Sequence, residues 1–210
     1  MLEREIMNKL SPIWKKAQEA ICNGETYIAL PLIQKLHAKE ELQLKNKSGY
    51  TLFHYAIITN NIEICFNMLM FNCNVSKDIV DKYKIPPLFL AIQKGNYEIS
   101  KLLIEYNKDI INYKIPTKER IYKNGILDCT KDVEHTILDS ALCAVRDALS
   151  IKTNNSENKF EHKEIYELII KYIDKKIITS HLEKLKGYMF DYHDPYKSIE
   201  NLLEECLKEK

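Results

Sequence analysis

Apolar residues recur along this chain at helical spacing, and in one region the whole pattern is repeated. Leu52, Phe53, Ala56 and Ile57 are followed by Ile62, Ile64, Met68 and Leu69; thirty-five residues further on, Leu88, Phe89, Ala91 and Ile92 are followed by Ile99, Leu102, Leu103 and Ile104. Apolar positions three and four apart line one face of a helix. Each copy therefore predicts two short amphipathic helices, separated at Asn60-Asn61 in the first copy and at Gly95-Asn96 in the second. Ala56 and Ala91, Glu63 and Glu98, and Met68 and Leu103 all keep the same interval. A fixed period of this length marks a stacked repeat, in which one unit cannot bury its own apolar face.

The residues inside the period carry a family resemblance. Thr51-Leu52-Phe53-His54-Tyr55-Ala56 resembles the T-P-L-H-x-A signature of the ankyrin repeat. Pro86-Pro87-Leu88-Phe89-Leu90-Ala91 keeps its proline, leucine and alanine and puts Phe89 in the histidine position. Asn74-Val75 and Asp109-Ile110-Ile111-Asn112 are similar to the turn that closes a unit in that family. Thr at a helix entrance can cap free N–H groups, and Pro suits the first helical position. The resemblance implies an all-α fold: an ankyrin-repeat solenoid of about four helix–turn–helix repeats with capping helices at both ends, in which His54 is a stacking residue.

Weaker copies flank the clear pair. Ala20-Ile21-Cys22-Asn23-Gly24-Glu25 matches the end of a first helix and its turn, and Leu30, Leu32, Ile33 and Leu36 supply a second stripe whose start Pro31 should limit. Ile6, Leu10, Ile13 and Trp14 predict an N-terminal helix, which Pro12 should break or restart. A third signature, Thr136-Ile137-Leu138-Asp139-Ser140-Ala141, stands fifty residues after the second and carries Asp139 in the histidine position. The extra length, 113–131, with Pro116 and Gly125, reads as an elongated loop. The polar stretch 150–163 reads as another. Glu164 to Ile178 predicts an amphipathic helix, and Ser180–Tyr188 and Ser198–Lys208 two more. The domain reading is repeats with an N-terminal cap over 1–178 and capping helices over 179–210. Clear repeats occupy 46–80 and 81–112, and degenerate ones about 15–45 and 131–178.

Charge and cysteine usage narrow the functions. With 31 basic and 30 acidic residues the net charge is +1, which argues against a general electrostatic grip on nucleic acid. Six cysteines without a C-x-x-C pair, in a chain that is 45% hydrophobic, fit reduced thiols in a cytosol. The first residues lack the apolar core of a secretory leader, and no run approaches the length of a membrane span. The expectation is a cytoplasmic monomer without a cofactor. Abundant Lys, Asn, Ile and Tyr make the chain similar to ankyrin proteins found among effectors of intracellular bacteria and in some viruses and protists; a bacterial effector would be translocated to a host cytosol.

Candidate chemistry is sparse. The five glycines are isolated, so no phosphate-cradling loop is present, and H-E-x-x-H is absent. His162 with Glu164, and His193 with Asp191 and Asp194, are the nearest approach to metal ligands and read as exposed loop charges. The alternative to a binding module is a small thiol hydrolase in the irregular C-terminal third. Its nucleophile would come from Cys129 or Cys143, with His135 and either Asp139 or His193.

The main reading is recognition of a partner protein, with no enzymatic role. The family resemblance implies that partners meet the concave face, formed by finger tips and the exposed side of each first helix. Carried across, these positions are Lys47, Ser48, Tyr50, Ile58 and Thr59 in the first clear repeat. In the next they are Lys82, Tyr83, Ile85, Gln93 and Lys94. In the third, His135 is a tip residue together with Asp132 and Val133, and Cys143 and Ala144 hold the helix positions. Cys22 and Asn23 hold them ahead of the clear pair.

Overall fold

The computed structural model describes residues 10–71, 85–123, 126–150 and 156–188, with 203–204 and 207–208 near the C-terminus. The chain divides into two compact units, Met1–Ile110 and Ile111–Lys210, a boundary the sequence reading does not draw.

The first unit is a stack of helix pairs. The pairs are α1 (Pro12–Cys22) with α2 (Thr26–Ala38), α3 (Leu52–Ile58) with α4 (Ile62–Met70), and α5 (Pro87–Gln93) with α6 (Tyr97–Tyr106). Helices α1, α3 and α5 pack side by side as an inner layer, and α2, α4 and α6 as an outer one. Trp14, Ala17, Ile21, Leu52, Ala56, Ile57, Leu88, Ala91 and Ile92 are buried on the inner helices; Ile33, Leu36, Ile64, Met68, Ile99, Leu103 and Ile104 are buried on the outer ones. Each such aliphatic side chain contributes about 1.5–3 kcal/mol on burial. This is the helix–turn–helix architecture that the period predicts.

Local chemistry sets the ends of these helices. Pro12 opens a helix, in keeping with the expected restart: it is the first residue of α1. Ser11 caps that helix, its Oγ accepting from the Trp14 N–H at 3.3 Å and donating to Glu41 Oε2 at 2.6 Å. Pro31 does not limit the start of α2, which begins at Thr26 and runs through it; the helix buries Ala29, Ile33 and Leu36. Gly24, Asn60 and Gly95 all have positive φ, at 73°, 51° and 73°, and stand at matching places after α1, α3 and α5. The left-handed residue lets each inner helix turn back into its partner.

Two asparagines then tie repeat to repeat. Asn61 accepts from the Ile64 N–H and donates to Thr26 Oγ1 at 2.7 Å, and Asn96 donates to the Ile57 carbonyl at 2.6 Å. At the outer end of this stack the His37 and Phe71 rings lie face to face, 4.8 Å apart.

The second unit corrects the sequence reading in three places. The segment read as a loop over 113–131 is an antiparallel hairpin, β1 (Lys114–Lys123) paired with β2 (Ile126–Thr136). Lys114 pairs with Thr136 at one end and Lys123 with Ile126 at the other, with one irregularity between Ile121 and Tyr122. The ion pair of Lys114 Nζ and Glu134 Oε2, 2.8 Å, lies on its exposed surface.

The third signature follows directly as α7 (Ile137–Ser150), which packs on β2 and on α8 (Ser156–Tyr172). So the polar stretch read as a loop up to Lys163 is helical from Ser156. Finally, the break expected near 179 falls at Asp174, whose Oδ1 accepts from the Lys176 N–H at 2.9 Å and opens α9 (Lys175–Tyr188). Of the proposed helix Ser198–Lys208, residues 203–204 and 207–208 are helical and the rest lies outside the described residues.

Candidate recognition surface

A turn, a capping box and a helix end build the clearest surface in the first unit. The turn is Asn46–Tyr50. Asn46 Oδ1 accepts from the N–H groups of Ser48 at 2.9 Å and Tyr50 at 3.0 Å, and Gly49 takes a φ of 78° to close the bend. Asn46 Nδ2 donates to the Tyr55 hydroxyl at 2.7 Å, so the finger is fastened to the exposed side of α3. At the helix entrance the Thr51 N–H donates to His54 Nδ1 at 3.1 Å. Because that nitrogen accepts a backbone N–H, the ring proton sits on Nε2. His54 is wholly buried, as a stacking residue should be.

The sequence-predicted positions separate into distinct groups. Lys47, Gln93 and Lys94 are exposed, as are Cys22 and Asn23. Ile58, the last residue of α3, is 36% exposed, open for an aliphatic side chain. Ser48 and Ile85 are half-buried. Thr59 is half-buried and its hydroxyl donates to the carbonyls of Tyr55 and Ala56. Tyr50 is half-buried too, with its ring 5.4 Å from that of His54 and edge-on to Tyr55 at 5.9 Å. It props the finger against the helix as well as lining the surface. Lys82 and Tyr83 lie outside the described residues. His135 is not a finger tip: it is in β2 of the second unit, with its backbone opposite Ile115. Cys143 and Ala144 are half-buried on α7.

Sequence reasoning missed two features of this unit. The exposed side of α1 carries Lys15, Lys16 and Glu19 beside Cys22. The outer layer has an open apolar stripe at Ile62, Phe66 and Met70, with Phe66 51% and Met70 67% exposed. The sequence held the signal for the second: Ile62-Glu63-Ile64-Cys65-Phe66-Asn67-Met68-Leu69-Met70 is apolar nearly all round, so some of it must face solvent.

Of the candidate thiol set, Cys129 and His135 are set apart along one strand. Cys129 and His135 stand six residues apart on β2, which at the rise of a strand is about 20 Å between their backbones. His193 lies outside the described residues. Asp139 is already engaged: its Oδ2 accepts from the Thr136 N–H and hydroxyl, both at 2.8 Å, and its Oδ1 from His181 Nδ1 at 2.9 Å. Burial alone would raise the Asp139 carboxyl, but the bonds from His181 and Thr136 outweigh it and hold the group well below the ordinary carboxylate range. Burial also pushes the Cys65 and Cys22 thiols up, away from the thiolate a nucleophile needs. Of the pairs weighed as metal ligands, Glu164 is exposed on α8, while 191–194 lie outside the described residues.

Stacked helix pairs in two layers, left-handed turns at a fixed interval and a finger fastened to the inner helix define a repeat protein built to display a surface. The family of ankyrin repeats matches in three copies over residues 18–114, and that segment carries ankyrin repeats. Among curated proteins it is 26% identical over 169 residues to the NAD-dependent deacetylase sir2B of Dictyostelium discoideum. The match covers 76% of this chain and only a fifth (20%) of that protein's length. Among solved structures it is similar to a chain in the complex of the Bd0816 predatory endopeptidase from Bdellovibrio bacteriovorus with immunity protein Bd3460. That likeness has a TM-score of 0.45 and 18% identity and covers 78% of this chain and 68% of the other. Among the described residues no helix is long and apolar enough to cross a membrane.

Proposed function

We propose that the first unit is a protein-recognition module that holds its partner on the exposed side of the inner helix layer. Ankyrin repeats imply a protein–protein interaction module, and the observation that supports this face is Ile58. It is an open aliphatic side chain at the end of α3, at the place in its repeat that exposed Gln93, followed by exposed Lys94, holds in the next. Apolar groups ringed by polar ones are common interface anchors. Lys47, Ser48, Tyr50, Thr59 and Ile85 complete the proposed surface, and Lys82 and Tyr83 join it from the sequence pattern. The finer readings, an effector acting on host proteins from a host cytosol and a monomeric state, rest on composition and belong with the identity of the partner.

A photo-crosslinking residue placed at 58 tests the face, with the same residue at 66 on the outer layer as its counterpart. The expected result is a discrete protein adduct from position 58 in cell extract and none from position 66. Adducts from position 66 alone, or from neither, would remove the inner face as the site.

A further inference from the structure

The net charge of +1 hides an uneven distribution within the first unit. The exposed side of α1 presents Lys15, Lys16 and Glu19; the finger presents Lys47 and the cap of α5 Lys94. Lys15, Glu19 and Cys22 follow at intervals of four and three, so they form one stripe along α1, with Lys16 beside it. Glu19 offsets one of the adjacent lysines, which leaves the inner face net basic among the described residues. The start of the finger is neutral, with Lys39 and half-buried Lys45 against Glu40 and Glu41. The outer layer has the opposite balance: Glu63, Glu98 and Glu105 are exposed, against exposed Lys35 and half-buried Lys101. The exposed lysines at 15, 16, 47 and 94, far apart in sequence, thus belong to three successive repeats, and by repeat register Ile58 stands level with Cys22 of α1 and with Gln93 of α5, which Lys94 follows.

We propose that this face takes an acidic segment of a partner protein, an extended stretch that seats one apolar side chain on Ile58 and turns carboxylates toward Lys15, Lys16, Lys47 and Lys94. The inference rests on the recognition face proposed above and adds the chemistry of its occupant. An open apolar side chain on a helix layer that also exposes lysines selects carboxylates near a hydrophobic residue. A phosphate backbone would use the lysines and leave Ile58 idle. Rim charges act mainly through the rate of encounter, so binding is faster and tighter at low salt and falls as salt screens the face.

The full chain is immobilised and a phage library of random linear peptides is selected against it at low salt. Recovered peptides are then synthesised and titrated against wild type, Ile58→Asp, Ile58→Ser and Lys47→Glu/Lys94→Glu, with melting curves on each variant. The expected result is enrichment of Asp and Glu around a hydrophobic residue and weaker binding to both Ile58 variants. Charge reversal should cost about tenfold in affinity. Peptides that need Ile58 but show no acidic enrichment and no loss on charge reversal overturn the acidic occupant and leave the recognition face standing. Peptides indifferent to both Ile58 variants overturn the face itself. Single-stranded DNA serves as a second probe. Binding of it that is lost on charge reversal and unchanged in Ile58→Ser, with no acidic peptides recovered, assigns the lysines to nucleic acid and overturns the proposal.

Discussion

Single side chains replace one another in the same structural office across the repeats. Thr51 and His54 close the entrance of α3 with a bond between the Thr51 N–H and the ring. Thr136 and Asp139 close the entrance of α7 with the same spacing, and there the carboxylate accepts from both the N–H and the hydroxyl of Thr136. Asp139 also fixes α9 through His181, which is only 3% exposed. The substitution of Asp for His thus keeps the cap and adds a long-range bond. Because the native carboxyl is held below its ordinary range, its stabilisation is complete above the unfolded value of about 4. It is lost as pH falls from there toward the depressed native value. Asp139→Ala should therefore cost about 3 kcal/mol at neutral pH, the loss expected for breaking a buried pair. It should also flatten the fall in stability below pH 4. Urea unfolding of both proteins across that pH range measures this; parallel curves would show that Asp139 does not supply the acid sensitivity.

At the scale of elements, the hairpin shows how far the sequence could be read. Lys114 and Thr136 are paired, and paired residues in an antiparallel ladder lie about 5 Å apart. A two-residue glycine linker can therefore replace 115–135. A lone two-stranded hairpin adds little stability by itself, so that deletion should keep the helical circular dichroism and shift melting only slightly. A collapse of the helical signal would show that β2 holds α7 in place. The helix pairs were legible because apolar spacing and the Thr-x-x-His cap act locally and recur. The hairpin was legible only in Asn124-Gly125 between Ile121-Tyr122 and Ile126-Leu127, a strong two-residue turn signal. Pro116 and the dense charges of the segment masked it. The start of α8 was hidden because Ser156–Lys163 is polar but for Phe160. The break at Asp174 was hidden because Ile173, Ile177 and Ile178 continue the apolar pattern across it. Of the proposed recognition surface, Ile58 and the finger followed from repeat register. The shared basic character did not, because only the stacking of α1 on α3 and of α3 on α5 puts these lysines on one helix layer.

For the whole molecule, two independent boundaries nearly coincide. The match to ankyrin repeats ends at residue 114, and the first compact unit ends at Ile110. In a stacked repeat each unit contacts only its neighbours, so stability is close to a sum of local terms. The first unit has its own core running from Trp14 to Ile104. Its asparagine bonds, from Asn61 to Thr26 and from Asn96 to Ile57, begin and end within it. The hairpin, α7, α8 and α9 carry the separate set built on Ile137, Leu138, Ile165, Tyr166, Ile169 and Ile178. The fragment 1–113 should therefore fold without the rest of the chain and unfold cooperatively, with the finger and Ile58 intact. Urea denaturation of that fragment, followed by circular dichroism at 222 nm, should give a single sigmoidal transition. Its slope should be about half that of the full chain, because the slope scales with the surface exposed on unfolding. A fragment without a cooperative transition would mean that the repeats need the second unit to stay folded. The proposed recognition face would then depend on the whole chain and not on the three repeats alone.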